Sequence, residues 1–309
     1  IIPNNNVTNR AFEANDMSFL PDKCRPLCLF PLLILLSACC ANNKKLTVGA
    51  TALLLEDVAK SSYRQSDLRV VREGMPAYLM LLDGMNQAWP DNERLLLAAA
   101  QGYSSFASAF IEENDKVYAS VLYAKSRQYA IKLLVLQGVN HPVDSPFDDF
   151  QRSLNKLDET DVPYLFWSAA CWGNWISLNL GSVKARAELP RVEMMMRVAL
   201  DLDETYYYGG PHLFMGIWYA SRPKIAGGNL EIARDHFLRA IELGEGKFLL
   251  AKIYYAQHYA MKKFDRKLFA ATLNDVLNTP IDIEPDLTLL NSLAHRKAKE
   301  MLANMQEYF

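Results

Sequence analysis

Two aromatic clusters are the residues best suited, by type and spacing, to bind something. Trp167, Trp172 and Trp175, three of the five tryptophans, fall within nine residues beside Tyr164 and Phe166. At 100° per residue, Trp172 and Trp175 lie about 60° apart on a helix, and Trp167 about 80° from Trp175. Tyr206, Tyr207, Tyr208, Trp218 and Tyr219 follow one helix pair later. Rings gathered on paired helices can line an apolar groove for a hydrophobic small molecule or a partner's side chains. The same rings can instead fill the contact between stacked helices, and exposure decides between the two. Arg222 and Lys224, set in an unusually long loop, are candidates for contact with a partner. Met194, Met195 and Met196 read as core. Lys184, Arg186 and Arg191 beside Glu188 and Glu193 read as a solvated face.

Other chemistries find little support. The five histidines are scattered, with no i, i+4 pair beside a catalytic glutamate, so no metal site is expected. Gly209-Gly210-Pro211 and Gly227-Gly228-Asn229 read as turns between helices, and neither follows the strand that a nucleotide-binding loop requires. No G-x-S-x-G elbow occurs. The chain is not expected to be an enzyme or to hold a cofactor.

The elements that must position the aromatic residues are helical. Residues 204–240 carry Met215-Gly216-x2-Tyr219 and then Ala233-x3-Phe237-x2-Ala240, the spacing of a tetratricopeptide helix pair. Small residues at Gly216, Ala233 and Ala240 let two antiparallel helices approach, while Tyr219 and Phe237 fill the groove beside them. Thirteen residues separate Tyr219 from Ala233, against about eight in the consensus. The excess is the loop 222–228, after which Asn229 can cap the second helix. Ala100, Ala170, Gly216 and Ala251 are the small residues of four first helices. The last two are 35 residues apart, close to the ~34-residue repeat.

Ser66, Asn92 and Asp115 read as helix caps over 66–136, and Pro280 and Pro285 end the array. The expectation is an all-α, irregular tetratricopeptide-like array of about 11–13 helices. It forms one domain over 50–309, with its core at 161–280 and a capping helix at 287–308.

The amino terminus reads as an address. Residues 1–16 are polar and featureless, and translation is expected to start at Met17. Lys23 and Arg25 precede an apolar run of ten residues, 27–36, about half of the ~20 that a membrane-spanning helix needs. That is a signal peptide by length, occupying 1–38 with the upstream residues. Leu36-Ser37-Ala38-Cys39 resembles a lipobox, which makes Cys39 the lipidated residue and 39–49 a tether. Cys24 and Cys28 leave with the signal. Cys40 and Cys171 remain, and Cys171 reads as a small buried hydrophobe. The residues after Cys39 are not acidic, which by resemblance to enterobacterial lipoproteins favours the outer membrane.

The 309 residues are half hydrophobic and 22% charged, with a net charge of −2. That is ample for a sizeable core and gives no basic footprint for nucleic acid.

Taken together, W-x4-W-x2-W-I-S-L, L-P-R-V-E, Y-Y-Y-G-G-P-H, G-G-N-L-E-I-A-R-D-H-F-L-R-A and the late L-A-H-R-K-A-K-E-M-L resemble the T-component (TatT) family of TRAP transporters. The resemblance covers about 50–309 and is most specific from Asp161 onward. It implies a periplasmic tetratricopeptide lipoprotein that associates with a TRAP solute-binding protein. It also implies a homotrimer with a hydrophobic pore through each protomer, suited to an apolar ligand such as a lipid or other hydrophobic acid. No catalytic residues are implied. A general envelope scaffold that gathers peptide segments on its repeats is the other reading.

Overall fold

Local signals account for most helix starts. Asn92 accepts from the Leu95 amide at 3.0 Å, Asp115 from Tyr118 at 2.9 Å and Asn229 from Glu231 at 3.0 Å. These are the expected caps, each contributing roughly 0.5–2 kcal/mol. At the remaining position the cap is Asp67, not Ser66, because its carboxylate reaches the amides of Arg69 and Val70.

The computed structural model describes residues 47–309. The Met17 start, the signal sequence, Cys39, Cys40 and most of the tether lie outside the described residues. Helix α1 spans residues 47–63 and so begins inside the expected tether. It is followed by α2 (Leu68–Ala88), α3 (Glu93–Phe106), α4 (Lys116–Leu136), α5 (Phe147–Leu154) and α6 (Val162–Leu178). Then come α7 (Val183–Ala187), α8 (Leu189–Leu202), α9 (Tyr206–Ser221), α10 (Leu230–Leu243) and α11 (Leu249–Tyr255). The described chain ends with α12 (Arg266–Asn278), α13 (Thr288–Ala303) and α14 (Met305–Tyr308). The architecture is all-α. The long terminal helix expected over 287–308 is interrupted at Asn304.

Neighbours in sequence pack as neighbours in space, through α2, α3, α4, α6, α8, α9, α10 and α11. α9 and α10 approach closely where the spacing predicts it. A Cβ on Gly216 would sit 2.9 Å from the Phe237 ring, so only glycine lets α9 lie this near α10. Ala100 and Ala251 are buried as expected, but on α6 the buried small residues are Ser168, Ala169 and Cys171, and Ala170 is only partly buried. α4 packs directly on α6, so the array continues across the connector at 138–146.

The array does not stay open. Leu289 and Leu293 of α13 belong to the same apolar cluster as Leu79, Leu82, Tyr103 and Phe106 of α2 and α3. Arg64 pairs with Asp286 at 2.7 Å, and Arg296 donates to the Ala109 carbonyl at 2.8 Å. Asn291, fully buried, accepts from the Leu249 amide and donates to the Lys247 and Ile281 carbonyls. These bonds fix α13 between the last repeat pair and the first helices. The expected end cap is therefore also a closing strut.

Candidate functional site

Closure leaves a chamber of about 830 Å³ between the first and last helices, within the ~300–1,000 Å³ common for small-molecule sites. Its wall is mostly apolar. α1 contributes Tyr63, α2 Tyr78, α6 Trp167, α9 Tyr207 and the last helices Tyr254 and Leu290. Tyr207 and Tyr254 are half-buried and Tyr63 is 36% exposed, so each ring keeps surface facing the space. Burial pushes all three hydroxyls up, and pushes Tyr78 up to about 12. The chamber thus offers neutral hydroxyls against aromatic faces, suited to an apolar body with few polar groups.

Tyr207 reaches this wall through an unusual backbone. Tyr207, Tyr208 and Gly209 have φ of 50°, 59° and 76°, a left-handed turn that runs into the right-handed helix at Gly210. Left-handed L-residues cost about 1–2 kcal/mol each and occur singly as a rule, and strain of this kind clusters at binding sites. The rings around the turn hold it in place. Phe166 meets Trp167 and Tyr206 edge-on at 5.4 and 5.3 Å, and Trp167 meets Tyr207 at 5.1 Å. A Cβ at Gly209 would lie 3.0 Å from the Ala240 Cα, and one at Gly210 would lie 2.8 Å from the Phe166 ring. Gly209→Ala should therefore lower stability by about 1–3 kcal/mol in urea denaturation, and an unchanged midpoint would refute this role.

The expected site residues separate into wall and support. Trp167 and Tyr207 line the chamber. Tyr206 packs on Phe166 behind them, and Tyr208 packs on Phe248 at 5.8 Å. The Trp167 indole N–H points toward the Tyr206 hydroxyl without reaching hydrogen-bonding geometry. Trp172 and Trp218 do not border an open groove; both are core, at 0% and 8% exposure. Trp175 is half-buried under the Arg127 guanidinium at 4.3 Å. Arg222 is engaged within the chain, 3.8 Å over the Trp218 ring and 3.3 Å from Glu193.

The solvated face expected around Glu188 is corrected as well. Glu188 is buried, and its Oε2 accepts from Arg127 Nη2 and Trp172 Nε1, both at 2.6 Å. Met195 and Met196 are core and Cys171 is buried, as expected.

Most of the wall comes from helices that carried no aromatic signature. In α3, Gln101, Ser104 and Ser105 face the chamber, followed by Ser108 just beyond it. Small polar residues on an otherwise inward helix are the signal that could have marked them. α3 continues as a π-turn over Ala107–Ile111, a local irregularity frequent at functional sites, and Ala109 and Phe110 on it also border the space.

Beside this wall, α9 and α10 are joined by a histidine pair. His212 Nδ1 and His236 Nδ1 are 2.8 Å apart, so one ring donates and the other accepts. His212 Nε2 meets Glu204 at 2.8 Å, and Arg239 holds the same carboxylate. Burial, then the charges of His212 and Arg197, push His236 down to about 4. Burial and Lys262 push His258 down to about 4 as well. A histidine depressed in the fold gains its proton on unfolding between roughly pH 6.5 and 4, so its stabilisation is lost as pH falls through that window. The thermal midpoint should drop between pH 7 and pH 4.5, and His236→Gln with His258→Gln should flatten the drop.

Known proteins resemble the chain at two levels. An uncharacterized protein of Treponema pallidum (strain Nichols) is 24% identical over 271 residues, covering 82% of this chain and 84% of the relative. The family model for the TRAP transporter T-component, TAtT, matches residues 64–309. That span contains α2 through α14 and most of the chamber wall, while α1, the helix ahead of it among the described residues, supplies the rest. The chain belongs to the TRAP transporter T-component family.

Proposed function

We propose that this protein is a non-catalytic accessory component of a TRAP transport system, which accepts an apolar solute in its chamber and docks a solute-binding protein. The observation that carries the reading is the aromatic-lined space of about 830 Å³ bordered by the returning α13. A simple peptide scaffold has no need of an internal space whose wall includes strained backbone. In this reading Cys39 carries lipid and holds the chain at the periplasmic face of the outer membrane, and the protomers assemble as a trimer. No helix of the described residues is long and apolar enough to cross a membrane, which is compatible with lipid as the anchor.

The loop 222–228 is suited to docking. Ile225 at its tip is 99% exposed. The loop is held in shape from within: Gly227 has φ 85°, and a Cβ on Gly228 would lie 1.9 Å from the Arg222 carbonyl oxygen. An apolar tip on a fixed loop suits a pocket on a partner. Two measurements test the proposal. Mild cross-linking in cells with mass spectrometry should recover a TRAP solute-binding protein, and less of it with Ile225→Asp. The neutral dye N-phenyl-1-naphthylamine should bind the purified chain, and Trp167→Leu should weaken it about tenfold. Recovery of envelope-assembly proteins instead, with no dye binding, would make the chain a scaffold.

A further inference from the structure

Where α13 closes against α2, the fold also builds a recess outside the chamber. It measures about 530 Å³ and is lined by Leu68, Arg69, Arg72 and Glu73 of α2, Phe110 of the π-turn and Arg296 of α13. Three guanidiniums and one carboxylate thus converge on one concave surface, in a chain whose net charge is −2. Arg69, Arg72 and Glu73 share a face of α2 because they stand three and four residues apart. Glu73 is engaged by Arg69 at 2.8 Å. The carboxylate of Asp67 is turned to the amides of Arg69 and Val70. Arg296 is fixed from within: it donates to the Ala109 carbonyl at 2.8 Å, lies 3.7 Å from Glu300, and leaves 32% of its side chain exposed. Arg72 is exposed and makes no ion pair among the described residues. The floor between these groups is apolar, made by Leu68 and by Phe110, which packs on Phe106 at 6.1 Å.

We propose that this recess docks an acidic peptide segment of a partner protein, with one apolar side chain seated on Leu68 and Phe110 and flanking carboxylates taken by Arg72 and Arg296. Charge and shape both select this occupant. The planar guanidinium matches a carboxylate through paired hydrogen bonds, and opposite charge across an interface speeds and orients encounter. A small inorganic anion would leave the apolar floor unused and most of the volume empty. A flat lipid surface meets cations that protrude, whereas Arg296 is recessed and held by the backbone. The recess is separate from the loop 222–228, and its role stands whether or not the chamber takes a solute.

The test uses the full chain and a fluorescein-labelled peptide, E-E-L-E-E, followed by fluorescence anisotropy. The peptide should bind at low salt and weaken as salt rises. Arg72→Glu should weaken it about tenfold, the size of one charged hydrogen bond, with an unchanged melting curve because Arg72 has no ion pair to lose. Replacing the central leucine of the peptide by glycine should weaken it several-fold. Lys184→Glu, an exposed charge on α7 outside the recess, should change nothing. No loss in Arg72→Glu, or an equal loss in Lys184→Glu, overturns the inference. Inorganic phosphate displacing the peptide at equal concentration also overturns it, by marking a site for small anions only. Binding to phosphatidylglycerol vesicles through Arg72, without binding to the peptide, overturns it in favour of a membrane surface. Trp167→Leu should leave peptide binding intact, so failure of the chamber reading shows in the dye and failure of this one in the peptide.

Discussion

Trp172→Ala should lower the unfolding free energy by about 3–5 kcal/mol, the range for removing a large aromatic side chain from a packed core. Trp172 is fully buried among Leu165 of its own helix and Phe150, Met195, Met196 and Met215, which come from three further helices. Its removal leaves a void that these side chains can fill only in part, because each is already packed on its own helix. It also removes the indole N–H from Glu188. Equilibrium urea denaturation followed by circular dichroism is the measurement, and a loss below about 1 kcal/mol would show that the core assignment is wrong. The consequence for binding work is direct. Weaker ligand uptake by a Trp172 variant would report a loosened core, whereas the same loss in Trp167→Leu would report the wall itself.

Arg127→Met should be comparably severe, at about 3–5 kcal/mol, because it strands a buried carboxylate. The side chains of Arg127 and Glu188 keep only 16% and 6% of their surface exposed. The guanidinium also stacks on two indoles, 4.9 Å from Trp172 and 4.3 Å from Trp175. These contacts tie α4 to α6 and to the start of α8. The double variant Arg127→Met/Glu188→Leu should recover more than half of the lost stability, since replacing a whole buried pair by apolar residues is often tolerated. A double-mutant cycle in urea measures this. If the double variant is less stable than Arg127→Met alone, the carboxylate is doing more than answering one arginine.

The sequence was most readable where a signal is local. Asn92, Asp115 and Asn229 are caps because a short acceptor side chain precedes each helix, and Gly216 and Phe237 meet because their spacing sets two helix faces together. Glu188 was not readable in the same way. It stands in a run of alternating charges, and its partner Arg127 lies 61 residues earlier, so its burial is a property of the assembled array. The same holds for the chamber. Tyr207 could be picked out from its aromatic neighbours, but Tyr63, Tyr78 and Lys297 become wall residues only when α13 returns to α2. A leucine pattern states that α13 has an apolar face without stating which end of the array that face meets.

That return has a consequence for how the protein comes into being. An open stack of repeats can acquire structure pair by pair as the chain emerges, amino end first, each unit resting on the one before. Here Arg64 waits for Asp286, 222 residues later, and Leu79 and Leu82 wait for Leu289 and Leu293. Until α13 has emerged the aromatic wall faces water, a surface open to aggregation or to capture by holdases. The chamber therefore forms late, and a chain that stops short of α13 lacks it.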